Sequence, residues 1–314
     1  MSTTTAEKAA KPARRVRARE SRPPGRNKEF VAALVFILPA LIGFVVFYLI
    51  PTIRGFYFSM TQYNLLGNNP RWIGFANYQQ IFRDPLFYNA LKVTIEYVLI
   101  NITLQTLLAV LIAAMMQRLT QSTLIRGAML LPWLISNVIA ALTWFWLLDY
   151  QIGLVNTFID WIGLDKIPFF GGEHWAIPTI AAVNIWRHMG YTALLVFAGL
   201  QTIPDYVYEA ASIDGSTEWR SFWRITLPLL RPILALVLVI TVTGSFQVFD
   251  TVAVTTRGGP VNASRVMQYY IYQKGFAEGQ FGYASALSVI LFIILITVAL
   301  VQLKLLKADE SDLA

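Results

Sequence analysis

Six apolar stretches succeed one another along this chain, at about 30–50, 93–116, 127–148, 176–200, 229–254 and 284–306. At about 1.5 Å per residue, each is long enough as a helix to cross a hydrocarbon layer about 30 Å thick. A backbone in lipid must satisfy its own amides. Because these stretches are continuously apolar rather than alternating with period two, they imply helices and exclude a transmembrane barrel. Composition agrees: 56% of the 314 residues are hydrophobic and 14% are charged, with a mean hydropathy of +0.54, whereas a soluble domain carries about 25% charge. An ordinary soluble enzyme, a disordered chain and a disulfide scaffold are excluded together. The expected fold class is an all-α integral membrane protein with six transmembrane helices over 30–306.

The net charge of +7 does not point to nucleic acid. Nine of the 25 basic residues lie before Phe30, at Lys8, Lys11, Arg14, Arg15, Arg17, Arg19, Arg22, Arg26 and Lys28, and the rest of the chain balances 16 basic against 15 acidic groups. No basic face is left for a phosphate backbone. Residues 1–29 read as a disordered basic tail held near anionic headgroups, and 307–314 as a short second tail. The stretch that follows the basic tail is too long for the apolar core of a cleaved signal peptide. With both termini in the cytoplasm of a multi-pass cell-membrane protein, 16 basic residues fall inside and eight outside, as the positive-inside rule asks. The loops facing outward are then 51–92, 149–175 and 255–283, and those facing inward 117–126 and 201–228. With no cysteine and only His174 and His188, neither a thiolate nor a histidine metal centre is expected.

The inner loop 201–228 is the most informative. Pro204 stands at a helix entry, good helix formers follow through Glu209, Ala210 and Ala211, and Asp214-Gly215 makes a turn. Ser216 is placed to cap a second helix with Glu218 in its first turn and Trp219, Phe222, Trp223 and Ile225 on its apolar side. The plain alternative is an interfacial hairpin that floats its aromatics at the headgroups.

The spacing Glu209-Ala210-Ala211, Gly215, Ile225, Leu227-Pro228 resembles the EAA signature of permease subunits of binding-protein-dependent (type I) ABC importers. Thr256-Arg257-Gly258-Gly259-Pro260, Phe281-Gly282-Tyr283-Ala284, Trp72-Ile73-Gly74-Phe75-Ala76-Asn77-Tyr78 and Asp84-Pro85 are similar to its carbohydrate-uptake branch, of maltose and glycerol-phosphate type. This resemblance covers 30–306. It implies a six-helix permease that forms half of a sugar path and docks, through Glu209, Ala210, Ala211, Asp214 and Gly215, onto a separate ATPase. Glu209 would meet a basic group of that ATPase. The chain holds no Gly-x-x-x-x-Gly-Lys-Ser/Thr run, so ATP and Mg would be bound by the ATPase partner and this subunit is not itself an enzyme. The resemblance further implies two ATPase subunits, a second permease chain that in carbohydrate systems is most often a different one, and an extracytoplasmic solute-binding protein.

Sugars present hydroxyls and apolar C–H faces, so uncharged polar groups beside aromatics suit their path. Thr241, Ser245 and Val248 share one face of the fifth span, flanked by Gln247 and Asp250; the fourth offers Trp186 and Tyr191. In maltose-type permeases the cavity lies on these two helices, and Gly258-Gly259-Pro260 carries its positions onto Thr241, Ser245 and Val248, where relatives keep asparagine at the last two. Ser and Thr bonding to their own helix is the structural alternative. Three ions lie at membrane depth. Glu96 is placed to pair with Lys92; Asp250 either bonds to Arg257 or lines the exit of the path; Arg187, next to His188, is the costliest and is placed to hold its helix against a partner permease. The rival class is an ion-coupled secondary sugar transporter, but Glu96 and Asp250 are poorly placed for ion coupling and no internal repeat is present.

Overall fold

The computed structural model describes residues 26–64, 67, 69–119 and 122–306. The basic residues from Lys8 to Arg22 and the tail 307–314 lie outside the described residues. The chain divides into two compact units between Ile53 and Arg54. In the first, α1 (Arg26–Phe44) begins before the expected start at Phe30 and runs through a π turn at Val45–Leu49 into α2 (Ile50–Ser59). Its large apolar side chains are exposed, Phe36 and Phe47 among them, as suits a helix whose solvent is lipid.

In the second unit a two-stranded ribbon, β1 (Thr61–Gln62) and β2 (Arg71–Trp72), pairs antiparallel with Thr61 opposite Trp72. Then come α3 (Ala76–Ile81), α4 (Pro85–Leu119), α5 (Thr123–Ala128), α6 (Leu131–Leu134), α7 (Asn137–Leu147), α8 (Leu154–Trp161) and α9 (Ala176–Leu200). The chain continues through α10 (Asp205–Ile213), α11 (Glu218–Ser221), α12 (Leu227–Leu229), α13 (Arg231–Phe246), α14 (Asp250–Val254), α15 (Met267–Tyr272) and α16 (Phe281–Leu306). The central pair is α4 against α9, with α13 packed on α4 and α16. One buried cluster joins Tyr97, Ile180, Val252, Met267, Tyr270 and Leu287; another joins Met116, Val196, Leu200, Leu230 and Val237.

Among the described residues four helices are long and apolar enough to span a bilayer, or five if one sharply bent pair counts as a span. That pair is the third expected span. Instead of one helix over 127–148, the chain breaks between Leu134 and Asn137 and turns by 88°. The remaining expected span, α9, is 25 residues long, about 37 Å, but carries Asn184, Arg187 and His188 and is thereby less apolar.

The motif residues of the loops form a clamp at the start of α4. Asp84 caps that helix, its Oδ1 accepting from the Leu86 amide at 2.9 Å, and Pro85 follows where no amide donor is needed. The Asp84 Oδ2 accepts the hydroxyls of Tyr270 and, at 2.8 Å, Tyr283. Burial pushes the Asp84 carboxyl up, but the Tyr270 and Tyr283 hydroxyls, the Leu86 amide and the Lys274 charge together hold it below its ordinary value. Burial and the Asp84 bond push the Tyr270 hydroxyl up. Asn77 donates to the carbonyls of Ser59 and Thr61, and the Tyr78 hydroxyl to Ser59 Oγ at 2.8 Å, so the early motif anchors the ribbon.

Candidate functional site

The break at Leu134–Asn137 leaves backbone carbonyls without helical donors, a costly state away from water. Arg187 of α9 supplies the donors. Its Nε reaches the Ile135 carbonyl at 2.8 Å and its Nη2 the Trp133 carbonyl at 3.0 Å. The third guanidinium nitrogen lies 2.8 Å from His188 Nε2, while His188 Nδ1 lies 2.9 Å from the Asn184 carbonyl. A guanidinium only donates, so Nε2 accepts, Nδ1 carries the proton and the imidazole is neutral. Arg187 therefore stitches together a broken span of its own chain. Close approach is allowed by Gly190, where a Cβ would fall 1.9 Å from the Met129 carbonyl oxygen. One turn of α9 beyond Arg187, Tyr191 stacks on Trp133, with ring centroids 4.7 Å apart and planes 9° apart.

Beside this stitch lies a cavity of about 360 Å³, walled by α4, α9, α13, the residues around the break at Leu134–Asn137 and the residues 247–251 where α13 gives way to α14. Five of the six path residues expected from the sequence, Tyr191, Thr241, Ser245, Gln247 and Val248, line it. Trp186 does not; it packs edge-on against Trp144 at 5.5 Å. Gln247 is exposed, whereas Thr241, Ser245 and Val248 are only 8%, 3% and 9% accessible. Ser245 Oγ donates back to the Thr241 carbonyl at 2.7 Å, the structural alternative for such a residue, and accepts from Asn101 Nδ2 at 2.8 Å.

That second bond belongs to a network which sequence reasoning missed. Asn184 donates to Asn101 Oδ1 at 2.9 Å, Asn101 to Gln105 Oε1 at 3.0 Å, and Gln105 to Thr192 Oγ1 at 2.8 Å. All four line the cavity. A signal existed: Asn101 and Gln105 stand four apart in an otherwise apolar stretch, a polar stripe on one helix face. Asp250 also lines the cavity, and its Oδ2 accepts from Asn137 Nδ2 at 2.9 Å. Its partner is thus Asn137 of the broken span and not Arg257. Glu96 and Lys92 form no ion pair among the described residues, and both are exposed.

The loop 201–228 folds as helix, turn, helix. Pro204 precedes α10, and the turn after it is a Schellman motif: the Ser216 amide bonds the Ala211 carbonyl at 2.9 Å and the Gly215 amide bonds the Ser212 carbonyl at 3.1 Å. Gly215 has φ of +72°, a conformation costly for residues with a Cβ. The second helix is capped by Thr217, whose side chain accepts from the Arg220 amide, and not by Ser216, which instead bonds to Ser221. Glu209, Ala210, Asp214 and Gly215 are exposed and Ala211 is buried. The Tyr208 hydroxyl lies 3.1 Å from Thr226 Oγ1, tying α10 to the entry of α12. Ile213, Trp219 and Trp223 stand exposed on this element.

A polytopic helical membrane protein with a polar cavity among its packed helices and an exposed helix–turn–helix loop has the architecture of a membrane transport component. Residues 105–308 match the model of the binding-protein-dependent transport system inner membrane component. A probable ABC transporter permease, YurN of Bacillus subtilis, is 32% identical, over 91% of this chain and 99% of its own length. The trehalose/maltose permease MalF of Thermococcus litoralis is 29% identical, over 89% of this chain and 95% of its own. A crystal structure of a bacterial ABC transporter involved in import of the acidic polysaccharide alginate superposes with a TM-score of 0.78 at 26% identity, covering 89% of this chain and 96% of that one. The chain belongs to the family of binding-protein-dependent ABC transporter permeases.

Proposed function

We propose that this chain forms half of the path of an ATP-driven sugar importer and transmits the ATPase stroke through residues 201–228. The observation that carries this reading is the cavity between α4, α9 and α13, lined by amide and hydroxyl groups beside the stacked Trp133 and Tyr191. Amides and hydroxyls match the hydroxyls of a sugar, and ring faces match its C–H surfaces. Relatives named for trehalose and maltose support the sugar class. In a related alginate transporter the complex includes an oligosaccharide-bound periplasmic protein, which supports a solute-binding protein as partner here. A second permease chain and two cytoplasmic ATPase subunits, the latter holding ATP and Mg, complete the assembly. Both termini face the cytoplasm of the cell membrane, and the exposed Glu209, Ala210, Asp214 and Gly215 are the docking residues, with Ala211 holding α10 in place.

The test is energy coupling. Gly215→Val forces a β-branched residue into positive φ, at about 1–3 kcal/mol, and Glu209→Lys sets a cation against the basic group expected on the ATPase. Both variants should insert normally and lose uptake, with the ATPase released or hydrolysing ATP without response to sugar. Normal transport by both variants would overturn the coupling role of this loop, and uptake by the unmodified protein in ATP-free vesicles driven by an ion gradient would favour the secondary-carrier reading instead.

A further inference from the structure

The cavity has a charge asymmetry. Asp250 opens α14 after the break at 247–249 and lines the cavity, and one bond, from Asn137 to Oδ2, is its whole complement of hydrogen bonds among the described residues. A carboxylate offers about four acceptor sites. No lysine or arginine lines the cavity. Arg187 is not among the lining residues; its charge lies within electrostatic reach of Asp250, and each of its three nitrogens is held by the Ile135 carbonyl, the Trp133 carbonyl or His188, so it turns no free donor toward the cavity. His188 does line the cavity, but its bonding pattern makes it neutral. The single formal charge on the wall is therefore negative, with acceptor capacity unspent.

We propose that Asp250 is a specificity-determining residue which restricts this half of the path to uncharged sugars and turns away uronates, phosphates and sulfonates. The proposal rests on the reading of the cavity as the solute path. A sugar hydroxyl donates well to a carboxylate, whereas an anionic group brought to the same wall meets a like charge in a medium of reduced dielectric and no lining cation to pair with, the Arg187 charge lying behind the wall with its donors taken.

The absence of cysteine from the sequence makes the charge of the wall measurable without knowing the sugar. Gln247→Cys puts one thiol of this chain on an exposed cavity position. The assembled importer, in liposomes of zwitterionic lipid, is treated with three small methanethiosulfonates bearing a trimethylammonium, no charge, or a sulfonate, and modification is followed by the mass of this chain. Relative to their rates with a free thiol, the cationic reagent should react at least about fivefold faster than the anionic one at low salt, and that ratio should shrink toward one at 1 M salt, where the Debye length is about 3 Å. Adding Asp250→Asn should bring the low-salt ratio to about one or below, since Arg187 keeps its charge, while leaving the neutral reagent unaffected. A ratio at or below one with Asp250 present, a ratio insensitive to salt, or one that survives Asp250→Asn overturns the proposal and leaves the path standing. A thiol inert to all three reagents shows a cavity closed to water, and then the path reading itself fails.

Discussion

Two clusters in this molecule gather polar side chains from distant parts of the sequence, yet they differ in how completely their bonding capacity is used. At the clamp, the two oxygens of Asp84 receive the Leu86 amide and the hydroxyls of Tyr270 and Tyr283. At the cavity, Asp250 receives only Asn137, and the amides of Asn101, Gln105 and Asn184 lie along an opening of about 360 Å³. A saturated cluster is a joint, because moving any member breaks bonds that nothing replaces. An unsaturated one next to a cavity keeps donors and acceptors available to a visitor. The lesson is that a carboxylate near a membrane span is to be judged by its unused acceptors and not by its depth alone.

The sharpest way to break the contrast is steric. Gly190→Val should remove the cavity wall altogether, since the new side chain would occupy the space of the Met129 carbonyl, and a backbone clash of that kind costs several kcal/mol, about 3 or more. The amount of monodisperse protein recovered in detergent should collapse. Full recovery would mean that the broken span is not held against α9 as described.

Gly244→Phe sharpens the same point at lower structural cost. Gly244 lines the cavity and a Cβ there meets nothing within 4 Å, so the ring should fill the opening, lower uptake by at least about tenfold and leave thermal stability within about 1 kcal/mol. The packed positions Thr241 and Ser245 are worse places for a plug, because a Phe there must displace buried neighbours. Unchanged uptake in a stable Gly244→Phe protein would take the cavity out of the route.

The smallest effect is expected at the clamp. Asp84→Asn should cost about 1–2 kcal/mol without altering the selectivity of uptake. The folded state lowers the carboxyl of Asp84, so its contribution is fully present above the ordinary carboxylate value near 3.8 and is lost as pH falls below that value through the folded one. Acid melting curves should show this dependence in the unmodified protein and lack it in Asp84→Asn. A variant that changes sugar preference would erase the distinction between joint and cavity.

What could be read from the sequence follows the range of the forces involved. The Gly215 turn is local: glycine after a run of helix formers predicts a left-handed residue, and φ of +72° is what the chain adopts. The cap that follows falls on Thr217 and not on Ser216, because the two are chemically equivalent caps and the turn geometry selects between them. The local sequence of 127–148 predicts one helix because Pro132 is tolerated in bundled spans; its break depends on Arg187, about fifty residues later, which no local pattern reveals. The spacing of Thr241, Ser245 and Val248 places them on one face of the fifth span, but which of its polar groups meets α4 is set by the pairing of Asn101 with Ser245.

The stitch at Arg187 has a consequence for how the protein is made. A chain emerges from the ribosome in order, so the carbonyls of Trp133 and Ile135 exist before the guanidinium that binds them. Helix α9 is the least apolar of the long helices, and inserting its charge alone would cost about 2.5–3.5 kcal/mol. Its acceptors are already waiting in the preceding segment. The order of residues along the chain therefore places the acceptors of this charge ahead of the charge itself, so that the helix carrying it has partners to meet as soon as it is made.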